Sequence, residues 1–558
     1  MVFDARQSYA KMCADVHFRT ENVQIRTIRF PVGMEYASGI QMFAFLARKL
    51  DMISCKRMIK RLMDIRMRIG CVACVACWGM GMAAQPLPPT GGWGLDDVVL
   101  QACQSSPDAL AARHTFRSAY WDYRSFRADY LPSLTLTSGP NLDRSINQIT
   151  MEDGSVRFVE QNLLNTDLSL RVQQNVSWTG GTLSLESSLL RTDLLSDRTF
   201  SWKSVPVNIG YSQSLFGYNN LKWRRRIEPV RYEEAQRSYL ETMELVAARA
   251  VDKFFALAMA QSNYATACQN FAHADTLYRF AQGRYQIGTT TENEMLQLEI
   301  NRLNEETNRL NARIEMDECA LDLRSYLGLH EGDTLPAIRM VTEVPDVMVE
   351  EGAALQWAHL HSPDILYMKR RKLEAESNVA QAKANAGLKA DLYLRFGLTQ
   401  TAENFSSTYR HPLDQQAVSI GITLPILDWG KGRGQVRVAR SQQDLVETQV
   451  EQSRTDFDQN IRKLVGQFNL QGLRVRVAAR TDSTALRRSE VARRLYVLGK
   501  SSVLDLNASI EEKDAARRNY LNALHTYWSL YYTLRSLTLY DFFEGRPLQV
   551  DYGQLVKD

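Results

Sequence analysis

The residues able to do chemistry do not gather anywhere in this chain. Gly430-Lys431-Gly432-Arg433-Gly434 has the glycine spacing of a phosphate-cradling loop. No Gly-Lys-Ser/Thr follows it, and the segment falls at a strand-to-helix bend. His359 and His361 are two positions apart, so on a helix they diverge and do not share a metal. No Ser-His-Asp, Cys-His or paired-carboxylate set stands at a spacing that supports catalysis. The pattern predicts no enzyme and no cofactor or metal. Net charge is +4, with Lys and Arg interleaved with Asp and Glu along helices. That is the pattern of solvated faces and points away from a nucleic-acid partner.

The eight cysteines divide unevenly. Cys13, Cys55, Cys71, Cys74 and Cys77 precede or lie within a candidate leader. Cys103, Cys268 and Cys319 fall at scattered spacing on predicted helices and read as small hydrophobes without a disulfide framework. The leader itself is a basic stretch (Lys60-Arg61, Arg66 to Arg68), an apolar run (Ile69 to Met80) and small residues to Ala84. Its depth in the chain leads to the expectation that residues 1–57 are a mis-assigned upstream extension and 58–84 a signal peptide. Val75-Ala76-Cys77 resembles the end of a lipobox, although Cys74 stands where leucine is usual, so Cys77 is a candidate for lipidation. No apolar run reaches the ~18 residues of a transmembrane helix. Entry into a membrane would have to be by strands.

What must position any function is a duplicated architecture, and internal repeats are read first. Ser106-Pro107-Asp108 opens a helix leading to the alternating strand from Leu134. Ser362-Pro363-Asp364 opens another, leading to Leu392-Tyr393-Leu394-Arg395-Phe396. Each is followed by a long proline-free stretch broken once, at Tyr285-x-x-Gly288 and at Tyr496-x-x-Gly499. The boundaries are 85–330 for the first repeat (strands about 132–216, helical hairpin about 224–330), a linker at 331–350, 351–541 for the second repeat (strands about 390–427, hairpin about 434–540) and a tail at 542–558. Period-two alternation gives a four-strand meander in the first half, turning at Thr179-Gly180-Gly181, with polar loops near Glu152-Asp153-Gly154 and Asp193–Lys203. A single hairpin is expected in the second half. Steps of three and four along Leu240, Met243, Ala247, Ala250, Phe254 and Leu257, and again along Leu303, Thr307, Leu310, Ile314 and Leu321, are coiled-coil spacing.

Few strands and many helix flanks are unsatisfactory for one molecule. A strand in lipid must pair its backbone on both sides, because each unmatched group costs several kcal/mol. A ring of identical copies removes every edge. Phe216, Tyr218, Trp223 and Trp429 at the strand ends, beside Arg224-Arg225-Arg226, suit a membrane-interface belt.

The ordered set of motifs resembles the TolC-like outer-membrane efflux protein family over nearly all of the mature chain. It comprises the two Ser-Pro-Asp starts, Tyr130-Leu131-Pro132-Ser133-Leu134, Leu424-Pro425-Ile426-Leu427-Asp428-Trp429-Gly430, and the two Tyr-x-x-Gly turns with Glu294 and Asp505 nine positions after each Tyr. The resemblance implies a mainly α fold with a β-barrel part: a homotrimer with an outer-membrane barrel and an α-helical periplasmic tunnel. The duct would be passive, embedded in outer-membrane lipid, docked to a periplasmic adaptor and, through it, to an inner-membrane pump. The alternative is a periplasmic coiled-coil adaptor or scaffold without a pore. By match, Gly288, Thr289, Gly499 and Lys500 would be the adaptor-docking tip, and Tyr496, Asp505, Tyr285 and Glu294 the periplasmic gate. Ser501 and Ala508 depart from the family's arginine and second aspartate. A ring of Asp505 carboxylates would raise its own pKa by repulsion. The strand pair around Thr179-Gly180-Gly181 exceeds the family's usual first hairpin, roughly 133–148 with 204–216. Inside the barrel it would make eighteen strands per trimer; outside, the count stays at twelve, and the reading leans to outside.

Overall fold

The computed structural model describes residues 92–152, 154–330, 338–341, 344–498 and 500–557. The candidate leader with Cys77, and Gly499, lie outside the described residues.

The duplication appears as matched lengths. The first half runs α1 (Leu95–Ser105, 11 residues), α2 (Pro107–Ala128, 22 residues), four strands, α3 (Asn220–Gln286, 67 residues) and α4 (Glu292–Tyr326, 35 residues). The second runs α5 (Glu351–His361, 11 residues), α6 (Pro363–Ala386, 24 residues), two strands, α7 (Lys431–Val497, 67 residues) and α8 (Val503–Thr538, 36 residues). Both halves open on the same joint. The buried Ser106 hydroxyl accepts from Ala109 N at 3.1 Å, and the Ser362 hydroxyl from Asp364 N at 3.2 Å. Proline follows at the first helical position, where no amide donor is required. The Ser-Pro-Asp phrases therefore close one helix and start the next.

At 1.5 Å per residue, α3 and α7 are each about 100 Å long. Both exceed the expected spans: α3 starts at Asn220 and carries Pro229 inside the helix at the loss of one i→i−4 amide bond, and α7 starts at Lys431. At every level four helices of the chain stand side by side. Away from the sheet these are α3, α4, α7 and α8; nearer to it they are α2, α3, α6 and α7. The core runs between them, with Phe254, Phe255, Ile461, Phe468, Leu521 and Leu524 fully buried. The linker is drawn across it: the Asn469 amide accepts from Val349 N and donates to Val349 O, both at 2.9 Å, and the Tyr527 hydroxyl donates to Pro345 O at 2.7 Å. Arg535 pairs with Glu244 at 2.9 Å and with Asp541 at 3.1 Å, and the tail beyond is held by Arg117 Nε, which donates to Leu555 O at 2.7 Å, and by the Tyr552 hydroxyl, which donates to Gln236 O at 3.2 Å.

The strands are β1 (Ser133–Thr150), β2 (Val156–Val176), β3 (Gly181–Leu194), β4 (Thr199–Ser214), β5 (Lys389–Ala402) and β6 (Leu413–Thr423). They form one antiparallel sheet in sequence order, and the halves join where β4 pairs with β5. Two expectations are corrected. The pair turning at Thr179-Gly180-Gly181 does not leave the sheet; β2 and β3 lie between β1 and β4. The polar loop expected over Asp193–Lys203 shrinks to the turn at 195–198, closed by Arg198 at φ 54°. Thr199, Ser201 and Lys203 alternate with Phe200 and Trp202, a strand period that the polar composition hid. The long connection is the one at 403–412, which carries a short 3-10 helix, Phe405–Tyr409. Pro206 sits where β4 slips register against both neighbours, so its missing donor falls at a bulge.

Candidate functional site

The sheet sorts its side chains by chemistry. Following the pairing, Leu136, Leu170, Leu185, Ile209, Phe396, Val418 and Ile420 share one face. The opposite face carries Thr137, Ser169, Arg171, Glu186, Asn208, Arg395 and Ser419, with Arg171 3.0 Å from Glu186 and Arg395 3.0 Å from Asn208. The apolar side chains stand open. A sheet apolar across all six strands on one side and polar on the other fits a wall between hydrocarbon and water.

At the helix end of the sheet the chain bends sharply. Trp429 (φ 54°) and Gly430 (φ 86°) are both left-handed, and the Asp428 carboxylate accepts from Gly430 N at 2.9 Å and Gly432 N at 2.8 Å. Those bonds hold the Asp428 carboxyl below the usual carboxylate range, Gly432 contributing most. They also occupy amides that a phosphate would need, so the glycine-rich look-alike is a helix start that supplies its own anion. The bend throws Trp429 outward, 90% exposed, next to Ile426 and Leu427. Phe216 is exposed on the same rim, Trp223 lies half-buried under Arg226 (4.9 Å), and Tyr218 turns inward to the Ser377 hydroxyl. Trp178, at the β2–β3 turn, adds an exposed ring that spacing alone did not single out. At the other end of the sheet Trp202 packs edge-on against Phe405 at 5.6 Å, and Arg191 lies over Trp202 at 5.5 Å. Sequence reasoning missed that second group; aromatics at strand ends were its only signal.

At the far end of the helices the two halves turn by one device. Thr289 N donates to Arg284 O and Gly288 N to Tyr285 O, both at 2.9 Å, with Gly288 at φ 71°. This is a Schellman turn. In the second half Lys500 N donates to Leu495 O at 2.9 Å in the corresponding place. The acidic residue nine positions after each tyrosine is then the third residue of the next helix. The Thr291 hydroxyl accepts from Glu294 N at 3.3 Å, and the Ser502 hydroxyl from Asp505 N at 3.1 Å. Asp505 completes a capping box, accepting from Ser502 N at 3.4 Å and Ser502 Oγ at 2.8 Å. Bonds from Ser502 hold its carboxyl below the ordinary range within the single chain. Tyr496 packs with Leu277, Leu298 and Leu506 between the halves, and burial pushes its phenol up, with Glu294 adding to the rise. Tyr285 stays exposed.

These features coincide with a known family. A model described as outer membrane efflux protein matches residues 98–329 and 354–538. The chain belongs to the outer membrane efflux protein family. A curated relative is the multidrug resistance outer membrane protein MdtQ of Escherichia coli O6:H1, 22% identical over 345 residues, 59% of this chain and 68% of that protein. Solved structures with the same fold include CusC (15% identity, TM-score 0.57, covering 82% of this chain and 98% of that one). They also include the Campylobacter jejuni CmeC outer membrane channel (15% identity, TM-score 0.59, 83% and 88%) and VceC of Vibrio cholerae (14% identity, TM-score 0.57, 82% and 97%). As an outer-membrane efflux protein, the chain sets its sheet in the outer membrane and its helices in the periplasm. The pore-less scaffold alternative finds no support in these matches, and the family is one of transport channels.

The remaining candidates go separate ways. His359 Nε2 lies 2.8 Å from Asp458 on α7, while His361 stacks on Trp357 at 5.3 Å. Cys103, Cys268 and Cys319 are free and half-buried, and burial pushes the Cys103 thiol up to about 11.

The two faces of β2 are expected to respond oppositely. Leu170→Arg places a charge on the lipid side and should destabilise the folded protein in bilayers by about 2–4 kcal/mol, whereas Ser169→Arg should change it little. Urea titration in lipid vesicles measures both. At the tip, Ser502→Ala should loosen the first turn of α8 by about 1 kcal/mol. Because the partner carboxyl is depressed, the cap's contribution is complete above the ordinary aspartate pKa and fades as pH falls through the lowered folded value. Hydrogen-exchange protection factors of residues 503–506, taken against the intrinsic amide rate at each pH, should therefore fall on acidification in the parent chain and be less pH-dependent in Ser502→Ala.

Proposed function

We propose that three copies of this chain form a passive exit duct that receives cargo at its periplasmic tip from an adaptor coupled to an inner-membrane pump. The observation that carries this is on α4. Leu296, Ile300, Leu303, Leu310, Ile314 and Leu321 repeat at heptad spacing and are 45–63% exposed. The stripe read as coiled-coil spacing is thus open within the single chain. Helix α7 leaves a matching run open, Leu470, Leu473, Val477, Val491 and Leu495. An a/d stripe of this length seeks another helix, because apolar surface gains about 25 cal/mol per Å² when removed from water. A second copy supplies it, and a closed ring leaves none unpaired.

The tip has the character of a docking surface. Ile287, Leu498 and Leu504 are exposed at the turns, Phe280 stands beside them, and Arg284, Arg494 and Lys500 surround them. Gly288, Thr289 and Lys500 shape that surface for the adaptor. Tyr496, Asp505, Tyr285 and Glu294 lie at the level where a trimer would narrow, with Asp505 doubling as a helix cap. Ser501 leaves this constriction without an arginine lock. MdtQ carries multidrug resistance in its name, and small organic molecules are the cargo class this reading assigns.

Two double variants separate assembly from docking. Leu303→Asp with Leu310→Asp should abolish the heat-modifiable trimer in outer-membrane fractions. Ile287→Glu with Leu498→Glu should leave the trimer intact while lowering dye efflux at least tenfold and eliminating cross-linking to the adaptor. A trimer indifferent to the first pair, or efflux indifferent to the second, would contradict the reading.

A further inference from the structure

We infer that the additional strand pair is part of the pore wall, so that the free edge of β1 pairs with the free edge of β6 in a second copy and the trimer closes as an eighteen-stranded barrel. The inference rests on the trimeric reading above and specifies its seam.

Three observations support it. The first is the stagger of the sheet. A row of paired residues runs Leu134, Val172, Leu185, Ile209, Phe396, Gln416. It begins one residue above the base of β1 at Ser133 and ends seven residues above the base of β6 at Thr423, and it never descends between. A climb of six residues over five strand steps corresponds to a strand tilt of about 40° at strand spacings of 4.8 Å, the tilt of closed barrels. The second is chemical continuity. The apolar face continues on β1 and β2 through Leu134, Leu136 and Leu142 and through Val172, Leu170, Leu168 and Leu164, up to Arg144 and Asn162, and a hairpin hanging in water would have no use for these leucines on one side. The third is anchorage. The β2–β3 turn is tied to both flanking helices: Gln174 Nε2 donates to Tyr130 O and Asn175 Nδ2 to Asp129 O, each at 2.9 Å, and Asn219 Nδ2 donates to Ser177 O at 3.2 Å.

Three-fold closure requires the same even stagger in each copy, so that faces match. Extending the observed climb by one step makes it six or eight residues, which sets Gln416 of one copy opposite Pro140 or Leu142 of the next. Pro140 removes at most one donor from the seam. In these registers Thr137 meets Ser419 or Gly421 on the polar, water-filled side. Because β2 and β3 lie between β1 and β4, a twelve-stranded wall would leave β1 and β2 outside; β3 would then meet β6, and Glu186 would take the place of Thr137.

The test uses the full-length chain with all eight of its cysteines replaced by alanine. Thr137→Cys is combined with Ser419→Cys or with Gly421→Cys, and Glu186→Cys with the same two partners. Mild oxidation should give covalent trimers on non-reducing gels for one or both Thr137 pairs and for neither Glu186 pair. Cross-links through Glu186 alone, or none in a chain that sediments as a trimer, would overturn the seam and leave the trimer standing. A monomer before oxidation would instead overturn the trimeric reading. Unsubstituted protein in nanodiscs gives an independent measure: viewed down the axis, the wall should be about 36 Å across at this tilt, against about 24 Å for twelve strands.

Discussion

A peptide group in hydrocarbon has no water to fall back on, and this single requirement orders the rest of the molecule. Every strand that enters lipid needs a partner along both edges. In one chain β1 and β6 each leave an edge bare, and the sheet, however regular, is unfinished. The helices carry the same incompleteness in apolar rather than hydrogen-bonding terms, since α4 turns a heptad stripe outward. Two unrelated deficits, one of backbone donors and one of buried area, would be met by the same act of assembly proposed above. That coincidence makes a ring more economical than any partner that would satisfy only one of them.

The long elements could not meet at defined places without sharp joints, and the joints are made by local chemistry. Ser106 and Ser362 cap the helices that lead up to the sheet. Asp428 gathers the amides of Gly430 and Gly432 where the chain leaves it. Added atoms at Gly432 would meet Ala386 at 3.0 Å, so α7 starts tightly against the end of α6. At the other extreme Gly288 provides the left-handed residue for the Schellman turn, and Thr291 and Ser502 restart the helices. These residues do little for bulk stability. They set the angle and phase at which 100 Å rods depart, and small errors at a joint grow along the rod.

Much of this was legible because it is periodic. The alternation through Leu392 to Leu398, the three-and-four steps along α3 and the repeated Ser-Pro-Asp phrases each carry their structure in spacing, and all are found as read. What was not legible depends on contacts between distant segments. Leu303 and Leu310 have core spacing, yet whether the core is inside the chain or between chains is not a property of a helix. The polar stretch after Asp193 resembled a loop because Thr199, Ser201 and Lys203 mask the alternate positions of Phe200 and Trp202. Glu294 and Asp505 drew attention as possible charges in a gate, and the local use of Thr291-x-x-Glu294 and Ser502-x-x-Asp505 as capping-box spacings was passed over. Tyr218 has the right type for an interfacial belt, but its hydroxyl found Ser377 instead.

The six-stranded share of the wall also makes sense of the helices beneath it. Helices packed side by side are 8–10 Å apart, so the four that stand at each level span about 32–40 Å of circumference per copy. Six strands tilted by about 40° occupy about 38 Å of the same circumference, whereas four would occupy about 25 Å. With four strands the tunnel would have to taper strongly at the membrane, or its helices would have to splay and expose the flanks they use to pack. With six, α3 and α7 can rise nearly straight into the sheet, and the clamps from Gln174 and Asn175 to the end of α2 fall within ordinary hydrogen-bond reach. On the eighteen-stranded reading the additional strands would equalise two perimeters, and the narrowest point of the duct would then fall away from the membrane, at the turns around Tyr496 and Asp505.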